Sequence, residues 1–184
     1  MAIVVRDVAQ DDLISLMPLW EEIQEDNFGL NVDALIARIE LSLSQNGFRL
    51  VVAWDGKEAV GLACISLSDI GTWSETPAIQ VSGLHVLSTS RHRGVAKGIL
   101  NAALASADAW GCNAIVASVP PLSREANRFF ARLGFAPVST FRVADAGSLR
   151  RKISIAPRRV TVARMRRRTA ETAPTSDLRH VVGK

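Results

Sequence analysis

Apolar residues recur along this chain at two spacings, and the alternation between them predicts its elements. Ile3 to Val8 is a short apolar run expected to form a strand. Leu13, Leu16, Met17, Trp20 and Ile23 then recur at helical spacing, with Asp11 or Asp12 available as a cap. Pro18 sits inside that stretch and is expected to bend or break the helix. Asn27-Phe28-Gly29 ends it. A second helix is expected from about Val32 to Gln45, with Leu35, Ile36, Ile39 and Leu43 on one face and Asn46-Gly47 as its stop. Phe48 to Trp54, the turn Asp55-Gly56-Lys57-Glu58 and Ala59 to Leu67 carry the signature of a β-hairpin.

A polar loop with Trp73 leads to a further strand, Ile79 to Val86, after which the period turns helical. Val95, Ile99, Leu100, Ala103, Leu104 and Ala107 make one stripe, ended by Gly111. Ala114 to Val119 is a buried strand closed by Pro120-Pro121. Ser123 caps a short helix striped by Ala126, Phe129, Phe130 and Leu133, with Gly134 as terminator. Val138 to Val143 and Leu149 to Ile155 are expected to pair as a last hairpin. The resulting order, β-α-α-β-β-β-α-β-α-β-β, predicts a single α/β domain with a mixed sheet and helices on both faces.

Composition adds bounds. The chain has 184 residues, 48% of them hydrophobic, enough for one buried core. No apolar run is long enough to cross a bilayer, and Met1 to Asp7 lacks the basic flank and apolar stretch of a secretion signal. Cys64 and Cys112 stand apart in apolar surroundings without metal spacing, so buried free thiols in the cytoplasm are expected and no metal site.

The formal charge of +4 is unevenly placed. Residues 1–155 hold 14 Lys and Arg against 16 Asp and Glu, whereas residues 156–184 hold eight basic and two acidic side chains. This separates a mildly acidic domain, 1–155, from a basic tail, 156–184, which is expected to be solvated and partly disordered. Such a tail attracts polyanions, so nucleic acid is a candidate partner, with a solvated extension the simpler expectation.

The stretch richest in chemistry is Arg91-His92-Arg93-Gly94-Val95-Ala96. It opens a helix, where unpaired backbone N–H groups and the helix dipole attract an anion. Gly94 allows close backbone approach, Ala96 keeps the wall low, and Arg91, Arg93 and Lys97 add charge. A pyrophosphate suits that geometry. Downstream, Asn127 lies on a short helix that runs through Phe129-Phe130 to Gly134-Phe135.

Together these two stretches resemble the GNAT superfamily of N-acetyltransferases. That family carries a strand, a [Q/R]-x-x-G-x-[G/A] loop and a helix, then an Asn-bearing helix ending in an aromatic pair and Gly-Phe. The resemblance covers Ile3 to Ile155. It implies a V-shaped sheet, acetyl-CoA as cofactor, and acetyl transfer to a primary amine by direct attack in a ternary complex. Backbone groups of Leu84 and Val86 would pair with the pantetheine arm beside His85. Those from His92 through Val95 to Lys97 would bind the pyrophosphate. Asn127 would contact the cofactor, Phe130 would line its thioester end, and Arg124 or Arg128 would lie near its outer phosphate.

The proton-transfer groups depart from the family pattern. The family's Tyr position is Phe130, and the chain has no Tyr. Ser123 or water is left as the acid. A thiolate leaves tolerably without help because its conjugate acid is far stronger than an alcohol. The family's base positions are Gln80 and Ser82, neither of them basic. His85 and Glu75 are the nearest titratable alternatives, although strict alternation turns His85 to the face opposite Gln80 and Ser82.

For the acceptor, Glu22, Glu25, Phe28 and Trp73, with Glu21, Asp26 and Glu75 near them, would suit a cationic amine through charge and cation–π attraction. Candidate acceptors are a small-molecule amine, a protein N-terminus or a lysine. A non-catalytic acyl-CoA-binding module is the rival reading, and a nucleic-acid- or ribosome-associated protein is another. A homodimer exchanging the C-terminal strand stays open.

Overall fold

The computed structural model describes residues 2–26, 31–69, 76–139, 142 and 144–154. The chain divides into two units, one ending at Ala136 and the other starting at Pro137.

The first unit is built on a five-stranded sheet in the order β1 (Ile3–Asp7), β2 (Phe48–Asp55), β3 (Glu58–Asp69), β4 (Pro77–Val86) and β5 (Ala114–Ala117). The first three pairings are antiparallel and the last is parallel. This is the mixed sheet expected from the order of patterns. α1 (Leu13–Asp26) and α2 (Val32–Ser44) join β1 to β2, α3 (Val95–Trp110) joins β4 to β5, and α4 (Arg124–Arg132) follows.

Two cores lie on opposite faces of the sheet. On one, Leu16, Leu19, Trp20 and Ile23 of α1 and Leu35 and Ile39 of α2 pack on Leu50, Val52, Trp54 and Leu62. On the other, Val95, Ile99, Leu100, Ala103 and Ala107 of α3, with Phe130 of α4, pack on Val51, Ala53, Ala63, Ile65, Ile79 and Val81. Full burial of one such aliphatic side chain contributes about 1.5–3 kcal/mol, so both layers are strongly held.

That burial explains the first departure from expectation. α1 runs unbroken through Pro18. A proline removes one helical hydrogen bond, but Leu16, Leu19, Trp20 and Ile23 on either side of it are all buried and anchor both halves. Asp12 rather than Asp11 secures the start, accepting the Ala9 N–H at 2.7 Å. Asn31 caps α2 through the Ala34 N–H, and Ser123 caps α4 through the Ala126 N–H, as its type and position predict.

The second unit contains a larger departure. Leu149 to Ser154, expected as a strand, belongs to α5 (Ala146–Ser154). Asp145 caps it, its carboxylate accepting the Ser148 N–H at 2.8 Å and its carbonyl the Leu149 N–H at 2.9 Å. Leu149 and Ile153 stand four residues apart, a helical spacing that the short alternation of the stretch obscures. Val138 and Ser139 are not in a strand, so the predicted hairpin lacks its second arm and part of its first. The basic tail from Ala156 lies outside the described residues.

Candidate functional site

β4 is held on both sides only over part of its length. Its parallel pairing with β5 runs from Ala78 with Ala114 to Val81 with Ala117, followed by one more bond from the Ser118 N–H to the Val81 carbonyl at 2.9 Å. Ser82 to Val86 stays paired to β3 but has no β5 partner. The sheet therefore opens into a V beside Leu84 and Val86, where the resemblance placed the pantetheine arm.

The opening coincides with a bulge. Cys64 lies opposite Ser82 and Leu62 opposite His85, so Ala63 on β3 faces two residues, Gly83 and Leu84, on β4. Gly83 takes a left-handed φ of 62°, which an L side chain rarely adopts. The extra residue resets the alternation. Ser66, Cys64 and Leu62 share one face, so their partners Gln80, Ser82 and His85 share it too. His85 thus faces α1 together with Gln80 and Ser82, against the strict alternation expected from the sequence. A glycine inside a strand pattern was the available signal.

On that face Glu22 of α1 meets β4. Its carboxylate accepts the Ser88 N–H through both oxygens, at 3.1 and 3.2 Å, and lies 3.4 Å from His85 Nε2. The His85 contact is of ion-pair range but lacks hydrogen-bond geometry, so Nε2 is buried without a hydrogen-bond partner. Burial pushes the Glu22 carboxyl up, and the Ser88 N–H and His85 outweigh it, leaving the group below its ordinary range. Glu22, expected as an acceptor contact, ties α1 to the loop beyond β4.

That loop passes through a short turn at Ser88–Ser90 into the segment Arg91–Ala96, the expected anion site. His92 has φ 61° and Gly94 φ 86°, and Gly94 precedes the first residue of α3. The Gly98 N–H closes the first helical bond on the Gly94 carbonyl at 3.0 Å, which leaves the preceding N–H groups at the helix mouth. A Cβ built on Gly94 would meet nothing within 4 Å, so its outer side is open to a ligand. The backbone thus has the form an anion needs.

The side chains around it are less free than expected. Arg93 binds Asp55 at 2.7 Å, and Arg91 and His92 lie 3.5 and 3.7 Å from Glu125. Arg91 Nε also donates to the Val86 carbonyl at 3.4 Å. Their carboxylate partners lie more than thirty residues away, beyond the reach of a local pattern. Lys97 is exposed, without an ion pair among the described residues.

Asn127 is also occupied. Its Nδ2 donates to the carbonyls of Ser123 at 2.7 Å, Pro120 at 3.3 Å and Pro121 at 3.4 Å, so it shapes the loop between β5 and α4. Ser123 spends an oxygen lone pair on the α4 cap. Phe130 is buried and stacks edge-on with Phe129 and Phe135, at centroid distances of 5.2 and 5.1 Å. Burial raises the Cys64 thiol, with Arg38 partly offsetting it, and Cys112 is enclosed in the α3 core. Neither has the character of a nucleophile. Phe28, Trp73 and Glu75, and the side chain of Glu25, lie outside the described residues. Among those described, no three His, Cys, Asp or Glu side chains gather as metal ligands.

Comparison with known proteins decides the assignment. The model of the acetyltransferase (GNAT) family matches residues 14–135, which include most of both cores and the turn at Gly94. The chain belongs to that family. It is accordingly an acyltransferase by family. No curated protein sequence matches it. Among solved structures, the aminoglycoside N-acetyltransferase AAC(6')-Iy in complex with CoA is similar, with 21% identity and a TM-score of 0.68, over 78% of this chain and 94% of that one. A transcriptional regulator from Bacillus halodurans C-125 has 19% identity and a TM-score of 0.66, over 78% and 99%. A ribosomal-protein-alanine N-acetyltransferase from Brucella melitensis biovar Abortus 2308 has 16% and 0.59, over 78% and 99%. Likenesses this distant show the GNAT fold alone, and the three proteins carry three different descriptions on it.

Proposed function

We propose that this acyltransferase passes an acetyl group from acetyl-CoA to a primary amine by direct attack in a ternary complex. The observation that carries the reading is the coincidence of two openings. β4 loses its β5 partner after Val81, and the α3 mouth at Gly94 stands open where that strand leads. A long ligand with a pyrophosphate at one end and an amide-bearing arm at the other fits such a pair.

Acetyl-CoA supplies a thioester already activated toward amines. The chain's own residues do the rest. N–H groups from His92 to Lys97, aided by the helix dipole, hold the phosphates, with Lys97 as a cation that has no ion pair among the described residues. The strand edge at Leu84 and Val86 aligns the arm, and a backbone N–H there faces the charge that develops on the acyl oxygen. Phe130, with its ring partners, keeps one wall apolar. His85, turned to the acceptor face by the bulge, is the base that takes the amine's proton. Ser123 or water returns a proton to the departing sulfur.

The acceptor is a small-molecule amine or a protein amine. The aminoglycoside and ribosomal-protein N-acetyltransferases among the neighbours are consistent with either one. No described helix is long and apolar enough to cross a membrane.

A thiol-release assay against a panel of amines, beside calorimetric titration with CoA, tests the proposal. Binding with turnover of at least one amine is expected. CoA binding without turnover of any amine would favour a non-catalytic module, and no CoA binding would overturn the cofactor assignment.

A further inference from the structure

We infer that Glu22 is a positioning residue that fixes the tautomer and orientation of His85, so that Nδ1 presents its lone pair to the acceptor amine. The inference rests on the acetyl-transfer reading above. Its geometry stands on its own.

Three observations lead to it. The bulge at Gly83 places His85 on the α1 face beside Gln80 and Ser82, the two positions that carry no base. The side chain of His85 is 14% exposed, and the nitrogen turned inward is Nε2, 3.4 Å from Glu22. Nδ1 has no hydrogen-bond partner among the described residues. A carboxylate beside one ring nitrogen favours the proton on that nitrogen and leaves the other as the acceptor. Glu22 is itself fixed, because both its oxygens receive the Ser88 N–H. The carboxylate therefore joins the base on β4 to the loop leading into the anion-binding turn.

Among the described residues, the other groups facing His85 supply no competing charge. Across β3 stand Leu62 and Cys64, along β4 Gln80 and Ser82, and from α1 Glu22. Burial holds the Cys64 thiol neutral, with Arg38 of α2 partly offsetting that effect.

In the step this implies, the acceptor nitrogen forms a bond to the acyl carbon while the carbon–sulfur bond breaks. The proton from nitrogen passes to Nδ1, giving an imidazolium whose charge the Glu22 carboxylate, 3.4 Å from Nε2, stabilises as an ion pair. The thiolate leaves with the bonding pair and takes a proton from water.

Ring ¹⁵N shifts of His85 in a two-bond ¹H–¹⁵N correlation spectrum test the tautomer without any substrate. The neutral ring of the wild-type protein is expected chiefly as Nε2–H, and Glu22→Ala is expected to give a mixture. A wild-type ring chiefly as Nδ1–H, or one unchanged in Glu22→Ala, would overturn the inference whatever the enzyme acetylates. Kinetics give the second test. Glu22→Gln keeps an oxygen for the Ser88 N–H but removes the charge, so kcat is expected to fall about tenfold or more while the KM for acetyl-CoA stays within about twofold. In a His85→Gln background the same change is expected to cost nothing further. An equal loss in both backgrounds would overturn the coupling. A wild-type protein that turns over no amine but has the expected ring tautomer would sink the transfer reading and leave the positioning intact.

Discussion

Gly61 on β3 lies directly beneath Val95, the first residue of α3: a Cβ on Gly61 would stand 2.8 Å from Val95 Cγ1. It would also reach the His85 carbonyl at 3.0 Å and Ile99 Cδ1 at 3.3 Å. The absent side chain lets α3, which follows the turn at Gly94, settle on β3.

Gly61→Ala is accordingly expected to destabilise the fold by about 2 kcal/mol, since two of the contacts are buried side chains and the third is backbone. A urea unfolding midpoint measures it. An unchanged midpoint would show that α3 can shift at no cost, and would remove the tight seat under the turn.

Gly94 gives the opposite case. A Cβ there meets nothing, so Gly94→Ala suffers only from the left-handed φ of 86°, at about 1 kcal/mol. Ligand binding is expected to suffer more, because the methyl group stands where the anion must approach. A rise of about tenfold in the Kd for CoA, roughly 1.4 kcal/mol, is the outcome to look for by calorimetry.

Asp12 makes stability depend on acid. Two hydrogen bonds from Arg6, at 2.7 and 2.8 Å, hold its carboxyl below the ordinary value of 3.8, and the Ala9 N–H adds to this against the opposing effect of burial. A depressed carboxyl contributes fully above the unfolded value and loses its contribution as pH falls through the lower folded one. Unfolding midpoints are therefore expected to fall below about pH 4, and Asp12→Asn to flatten that part of the curve.

Asn127→Asp is expected to loosen the loop between β5 and α4. It replaces a donor to three carbonyls with an acceptor that repels them, at about 1–2 kcal/mol. Hydrogen exchange over residues 120–127 is the measurement, with faster exchange expected. Unchanged exchange would return Asn127 to the simpler role of ligand contact.

These residues also mark what the sequence could convey. The helices from Leu13, Val32, Val95 and Arg124 were legible because each repeats apolar residues at one period and starts or stops on a recognisable cap. The family motif located the turn at Gly94 for the same reason: its chemistry lies in consecutive residues. The face of His85 was not legible by alternation, since one inserted residue reverses every position beyond it. Nor were the partners of Arg91 and Arg93, because ion pairs to Glu125 and Asp55 depend on how distant elements meet. The stretch from Ala146 misled for a third reason: nine residues hold too few turns for the helical period to declare itself.

The parting of β4 from β5 has a meaning for folding as well as for catalysis. From Ser82 to Val86 the protein carries an edge in the middle of its own sheet, with backbone groups that a neighbouring strand would ordinarily occupy. A ligand arm laid along it, as proposed above, would act as a non-peptide sixth strand. On the proposed reading the cosubstrate would complete the sheet, and a ligand bound there would stabilise the folded protein by its binding free energy.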